Sequence, residues 1–312
     1  MTRTRRFALP VLLLLPLWGL LSDGASARRG WPHGTPRGGV APTRPGGAFS
    51  ARDLVLTRSL SDPQISPDGR HVVFVVRHSR IRQNKMYGNL WRVPLAGGKA
   101  QRLTTTRRSD WSPRFAPDGK HLYFLSTRRK GAQIWRLPLT GGEPEKLSDS
   151  ALGVTGSLVV GPKGRRLLTY GKAYPKCRDN RCNRAEKQRR KRSKVRAELY
   201  TGLLYRHWNH WRHGKVKHVW SFDTQSKRLQ DLTPGPQDAP PISLGGHPDY
   251  DLSPDGRFVA FVKNPDKFVA TSTNNDVFDF ISAEIRVAIQ QRVDAMREHV
   301  VGAGQVKTTP EG

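Results

Sequence analysis

Ser66-Pro67-Asp68-Gly69-Arg70-His71-Val72-Val73-Phe74-Val75-Val76 is a tight turn that runs straight into an apolar strand. An Asp in a turn bonds back to its own backbone, Gly supplies a positive φ, and Pro presets the approach. The β-branched and aromatic run behind it predicts a buried strand. The same device returns as Ala116-Pro117-Asp118-Gly119-Lys120, Gly161-Pro162-Lys163-Gly164-Arg165 and Ser253-Pro254-Asp255-Gly256-Arg257, each followed by an apolar run. The four turns begin at residues 66, 116, 161 and 253, so the intervals are 50, 45 and 92 residues. A second element keeps step: Leu90-Trp91-Arg92-Val93-Pro94-Leu95-Ala96-Gly97-Gly98, then Ile134-Trp135-Arg136-Leu137-Pro138-Leu139-Thr140-Gly141-Gly142. These close in Arg102-Leu103-Thr104 and Lys146-Leu147-Ser148, with Val219 to Thr233 as a looser third copy. Repeats of about 40–50 residues made of short strands predict propeller blades. The expected fold is all-β, a partial β-propeller of about three and a half four-stranded blades over residues 51–278.

The 92-residue interval holds roughly one blade length too many. The surplus predicts an insertion at 171–205, and Lys176 to Arg196 carries eleven Lys or Arg against only Asp179 and Glu186. Such a run reads either as a basic recognition arm or as a solvated helical excursion from the blade edge, and charge runs usually stay in water. Cys177 and Cys182 are the only cysteines, and in an exported chain they are most simply a local disulfide. A metal role would need more soft ligands nearby, and a redox role would prefer a two-residue spacer. His207, His210 and His213 invite a zinc hypothesis. On one continuous strand, alternation would put His207 and His213 on one face and His210 on the other. The Trp-rich run before Gly214-Lys215 also reads as a hairpin, and no metal or cofactor site is expected.

The ends read differently. Arg3, Arg5 and Arg6 precede an apolar stretch from Phe7 to Leu21 and the small-residue site Ala25-Ser26-Ala27, so residues 1–27 read as a signal peptide. Residues 28–50 read as a flexible Gly/Pro/Arg-rich leader. Export to the periplasm or outside follows, with no transmembrane anchor after cleavage. Pro234 to Pro248 is a Pro/Gly-rich connection, and a further strand is expected to start in Ala270 to Phe278. Beyond Phe278, Ile281, Ile285, Ile289, Val293, Met296 and Val300 recur at helical spacing. Residues 279–312 are therefore a divergent tail with a short C-terminal α-helix. The net charge of +29 suggests attraction to polyanions, but no nucleic-acid-binding motif accompanies it, so specific nucleic-acid binding is not expected.

Taken together, the Pro-Asp-Gly repeats, Cys177 and Cys182, Arg206-His207-Trp208 and Gly214-Lys215 resemble the N-terminal propeller of bacterial prolyl oligopeptidase-family serine peptidases. The dipeptidyl aminopeptidase and acylaminoacyl-peptidase branch is the nearest in pattern. Pro240-Pro241, Ser243-Leu244-Gly245-Gly246 and Thr271-Ser272-Thr273-Asn274 strengthen the match, which covers about Arg52 to Phe278. The Pro-Asp-Gly turns alone are shared with other periplasmic propellers, including the Tol-system protein. The resemblance implies a propeller that filters peptides into an α/β-hydrolase domain carrying Ser, Asp and His. The nucleophile elbow Gly-x-Ser-x-Gly occurs nowhere in this sequence, and Gly156-Ser157 lacks its spacing. No catalytic residue is therefore assigned. The leading expectation is a truncated or frameshifted propeller portion of an exported serine peptidase, inactive alone, with peptide substrates only when joined to a hydrolase domain. Alternatives are a stand-alone envelope binding module, whose partner is an unknown envelope protein, and a polyanion-binding envelope protein acting through Lys176 to Arg196.

Overall fold

The computed structural model describes residues 49–129, 131–195, 197–200, 202–242 and 249–281. A six-residue helix, α1 (Ala51–Leu56), leads in; the Ser50 side chain accepts from the Asp53 N–H and Asp53 reaches back to the Ser50 backbone. The first blade is β1 (Ser59–Ile65), β2 (His71–Arg80), β3 (Lys85–Pro94) and β4 (Gln101–Arg102). The second is β5 (Asp110–Phe115), β6 (His121–Ser126), β7 (Gln133–Pro138) and β8 (Glu145–Lys146). The third opens with β9 (Val159–Val160) and β10 (Arg166–Ala173). An excursion follows, made of α2 (Asn180–Arg192) and the hairpin β11 (Arg206–His207) and β12 (His210–Trp211). Then β13 (Val216–Asp223) and β14 (Leu229–Asp231) complete the sheet. A fourth sheet has three strands, β15 (Tyr250–Leu252), β16 (Phe258–Lys263) and β17 (Asp276–Ile281). All pairings are antiparallel and sequential within each blade, so the partial propeller read from the repeats is the architecture observed. The expected signal peptide, most of the leader, Ser243 to Pro248 and the expected C-terminal helix lie outside the described residues.

The four turns are one structure repeated. Gly69, Gly119, Gly164 and Gly256 have φ of 68, 66, 65 and 71°, a region open to glycine and strained for other residues. Each donates its N–H to the carbonyl three residues back, at Ser66, Ala116, Gly161 and Ser253. Asp68, Asp118 and Asp255 each accept the N–H two residues on, as expected for an Asp at this position. Lys163 replaces the acid in the third copy, and the turn keeps its shape without it through the positive φ of Gly164 and backbone bonds from Gly164 to Gly161 and from Gly161 to Arg166.

The core lies between blades rather than inside one. Leu122 and Phe124 on β6 join Val73, Val75 and Leu90 of the first blade. Tyr123 and Leu125, on the other face of the same strand, join Val154, Leu158, Leu167 and Phe222 of the third. Leu168 and Val219 then meet Val259 and Phe261 of the fourth. A strand buried on both faces needs an unbroken apolar run, which is why the sequence after each turn lacks polar alternation. The first strands are linked in series: Arg114 pairs with Asp62 at 2.8 Å, and the Leu158 N–H donates to the Ser112 hydroxyl at 2.7 Å. Gly156 has a packing role here, since a Cβ on it would lie 2.3 Å from Tyr170 and 2.7 Å from the Tyr250 oxygen.

A polar bracket ties each third strand to the fourth. The hydroxyls of Thr104, Ser148 and Thr233 accept the N–H groups of Leu90, Ile134 and Val219 at 2.9–3.0 Å. The residue before each of those, Asn89, Gln133 or His218, is buried and reaches the carbonyl of Thr106, Ser150 or Gly235. Three chemically different side chains thus fill one structural role.

Candidate functional site

Strand polarity sorts the connections into two ends. The Pro-Asp-Gly turns and the turns between third and fourth strands share one end; Leu95 and Leu139 donate to the carbonyls of Arg70 and Lys120 across it. Successive turns stack there, with a Cβ on Gly164 placed 3.0 Å from Pro117 and one on Gly256 placed 3.2 Å from Pro162. The opposite end collects the links between second and third strands, namely 81–84, 127–132, 174–215 and 264–275, together with the links between blades. Regular turns close the first end and variable loops crowd the second, which makes the loop end the candidate site.

The excursion 174–215 dominates that end. Asp179 caps α2 by accepting the Cys182 N–H at 2.7 Å, and Cys177–Cys182 is a disulfide with Cα atoms 5.3 Å apart. Asn183 is buried, accepting the Tyr174 N–H and donating to the Asp179 carbonyl, both at 2.8 Å. Asn180 accepts the Ala151 N–H at 2.7 Å, and Arg184 pairs with Asp149 at 2.8 Å, so α2 is tied to the link between blades two and three. Arg189, followed by Arg190, holds the Glu186 carboxyl down to about 2. The Arg190 guanidinium lies 4.8 Å from the Tyr174 ring centre and the Lys215 ammonium 5.7 Å from it. Burial, then the charges of Lys172 and Arg190, hold Lys215 below the ordinary lysine range.

The histidine run turns at Trp208 and Asn209, and β11 and β12 pair His207 directly with His210. The single-strand reading, with His207 and His210 on opposite faces, is therefore corrected: a hairpin places cross-strand partners side by side. His213 lies apart, with Nδ1 3.0 Å from Glu198. Among the described residues no three His, Cys, Asp or Glu are grouped to hold a metal ion. Tyr200, Tyr205 and Trp211 stack with centres 5.2–6.0 Å apart, and Arg212 clamps the hairpin to Asp238 at 2.6 Å.

The Ser-Thr-Asn segment sits at the same end. Val269–Thr271 is a short 3₁₀ turn and the strand starts only at Asp276, later than the expected start near Ala270. The reason is local bonding: Asp266 accepts from Ser272 at 2.5 Å and from Asn274 at 3.2 Å, closing the loop on itself. Those two donors, Ser272 first, hold Asp266 below its ordinary value. With Lys267, Phe268, Thr271 and Thr273 they line an open concavity of about 720 Å³. It can offer a satisfied carboxylate and hydroxyl groups to a polar ligand, and no histidine or cysteine is among these lining residues.

One buried His–carboxylate pair deserves comparison with a catalytic relay. His218 Nδ1 lies 2.6 Å from Asp231, with both side chains fully buried. Burial pushes Asp231 up, opposed by His218. The other ring nitrogen meets the Gly235 carbonyl at 3.0 Å, so it must donate there and cannot take a proton from a hydroxyl. The pair is a structural bracket. A polar residue immediately before the apolar Val219, as before Leu90 and Ile134, was the signal in the sequence.

No family model matches the chain. It is 30% identical over 233 residues to dipeptidyl-peptidase 5 of Porphyromonas gingivalis, covering 72% of this chain and 33% of that protein. It is 25% identical over 236 residues to dipeptidyl-peptidase 5 of Porphyromonas endodontalis, again 72% of this chain and 33% of the relative. Among solved structures, an acylaminoacyl peptidase of Pyrococcus horikoshii superposes with a TM-score of 0.51 at 18% identity, covering 73% of this chain and 32% of that one, a likeness of fold. The chain spans about a third of the length of the curated relatives it matches. With its blades, its repeated turns and this similarity in hand, the chain is a partial β-propeller similar to the dipeptidyl-peptidase 5 proteins, in keeping with the N-terminal propeller portion of a prolyl oligopeptidase-family peptidase.

Proposed function

We propose that this chain is the non-catalytic propeller part of an exported peptidase, with its loop end serving the passage or recognition of short peptides. The observation that carries this reading is the pairing of three full blades and a three-stranded fourth with a sequence lacking Gly-x-Ser-x-Gly. In the intact relatives that the family implies, a serine held on a strand-to-helix turn attacks the peptide carbonyl, and this chain offers no such group. Export is supported by the basic and apolar N-terminal residues and by a disulfide, which persists in oxidising compartments.

The test is labelling of the purified chain with a serine-directed fluorophosphonate, beside assay of dipeptide release from a chromogenic peptide. Neither labelling nor turnover is expected. Stoichiometric labelling that tracks peptide hydrolysis would overturn the reading.

A further inference from the structure

We propose that the excursion 174–215 seats the protein on an anionic lipid surface, with α2 facing the headgroups and the apolar side chains beside it entering the interface. Two independent features carry this. First, α2 and its flank are cationic well beyond what local pairing uses. Glu186 is its one acid and is taken by Arg189 and Arg190. Arg181, Lys191, Arg192 and Lys194 are exposed and make no ion pair among the described residues. A helix dipole accounts for Lys191 and Arg192 in the last turn, but Arg181 lies in the first turn, where it opposes the dipole.

Second, the chain leaving α2 exposes large apolar side chains instead of burying them. Leu199 is 90% exposed, Leu203 73%, Trp208 70% and Val195 70%. Soluble surfaces seldom gather such residues without a partner. Contacts join these segments to the helix and to one another: Arg190 donates to the His213 carbonyl, and Tyr200 and Tyr205 both stack on Trp211.

The combination selects the partner. Cations alone would suit any polyanion, nucleic acid included. Exposed leucines have nothing to offer a sugar-phosphate backbone, whereas aliphatic and indole groups beside Lys and Arg match a headgroup layer over acyl chains. Each cation close to an anionic leaflet raises partition roughly fivefold, so three of them should be worth about a hundredfold. The inference stands on the excursion alone and does not depend on the peptidase reading.

The experiment is flotation of the full-length chain with vesicles of phosphatidylcholine, with and without a quarter of phosphatidylglycerol. Every variant keeps the same N-terminal apolar stretch, so only differences between variants report on the excursion. K191Q/R192Q/K194Q should lose about a hundredfold in partition to the anionic vesicles and nothing with the neutral ones. L199S/L203S/W208S should lose about tenfold or more. Quenching of tryptophan emission by acyl-brominated lipid should fall in W208F, a variant that keeps the ring bulk. Equal partition of wild type and both multiple variants, or no partition at all, would overturn the proposal. So would salt-sensitive binding to a DNA duplex that needs the cations but not the leucines, without binding to vesicles, since the ligand would then be nucleic acid.

Discussion

The second and third blades share one plan and differ most at one joint. β6 passes to β7 through residues 127–132, whereas β10 passes to β13 through 174–215. The strands ignore the difference: β10 and β13 keep eight consecutive pairs, from Arg166 opposite Asp223 to Ala173 opposite Val216. The two links share a largely buried Arg–Asp pair and differ in what else holds them. In the short one, Arg128 reaches the fully buried Asp110 at 3.0 Å and lies over the rings of Phe124 and Trp135. The long one buries few side chains, Tyr174, Cys177 and Asn183 among them, and adds a disulfide, caps and exposed ion pairs to one largely buried pair, Arg212 with Asp238. The lesson is that blade stability resides in inter-blade faces and strand brackets, so the loop end can vary without disturbing them.

The sharpest way to break that comparison is to cut the buried pair of the short link. Arg128→Ala strands the Asp110 charge in a dry site and should cost about 3–5 kcal/mol in urea unfolding. A cost below about 1 kcal/mol would mean that the short link is no more integral than the long one. Next comes the bracket. Ser148→Ala removes the acceptor of the Ile134 N–H and a donor to Gln133, and should cost about 1–3 kcal/mol. Thr104→Ala should behave alike, because it occupies the same place in the first blade.

Acid titration separates the two regions at smaller amplitude. Burial pushes Asp223 up, but N–H groups of Ser226 and Gln225 and the Arg165 guanidinium outweigh it and bring it to about 2. Glu186 is also held at about 2. A carboxyl lowered on folding stabilises above its unfolded value of about 4, and that contribution is lost as pH falls from about 4 towards 2. Asp223 closes the turn between β13 and β14, so its loss should appear in global unfolding, on the order of 1 kcal/mol after solvent screening. The loss at Glu186 should appear only as faster amide exchange in α2. Matching global effects for D223N and E186Q would erase the distinction. Smallest of all, Arg184→Ala removes an ion pair whose side chains are 51% and 66% exposed and should change stability by about 0–1 kcal/mol.

Much of this was legible in order. The Pro-Asp-Gly turns and the Trp-Arg-x-Pro-Leu runs are local signals, because a turn needs its Gly and a doubly buried strand needs its apolar run. Their spacing was enough for blades, for the surplus in the third and for the place of the disulfide, since each depends on neighbours in sequence. What the sequence left open was decided by contacts between distant residues. Nothing in Asn89, Gln133 and His218 as types says they do one job; the carbonyls they reach each belong to a residue 17 positions away, brought near by strand pairing. The hairpin register that sets His207 beside His210 depends on where the chain turns, which hydrogen bonding across the pair fixes. The gathering of α2, the exposed leucines and the Ser-Thr-Asn loop at one end follows from strand polarity in four sheets, a property of the assembled fold that no single stretch of residues encodes.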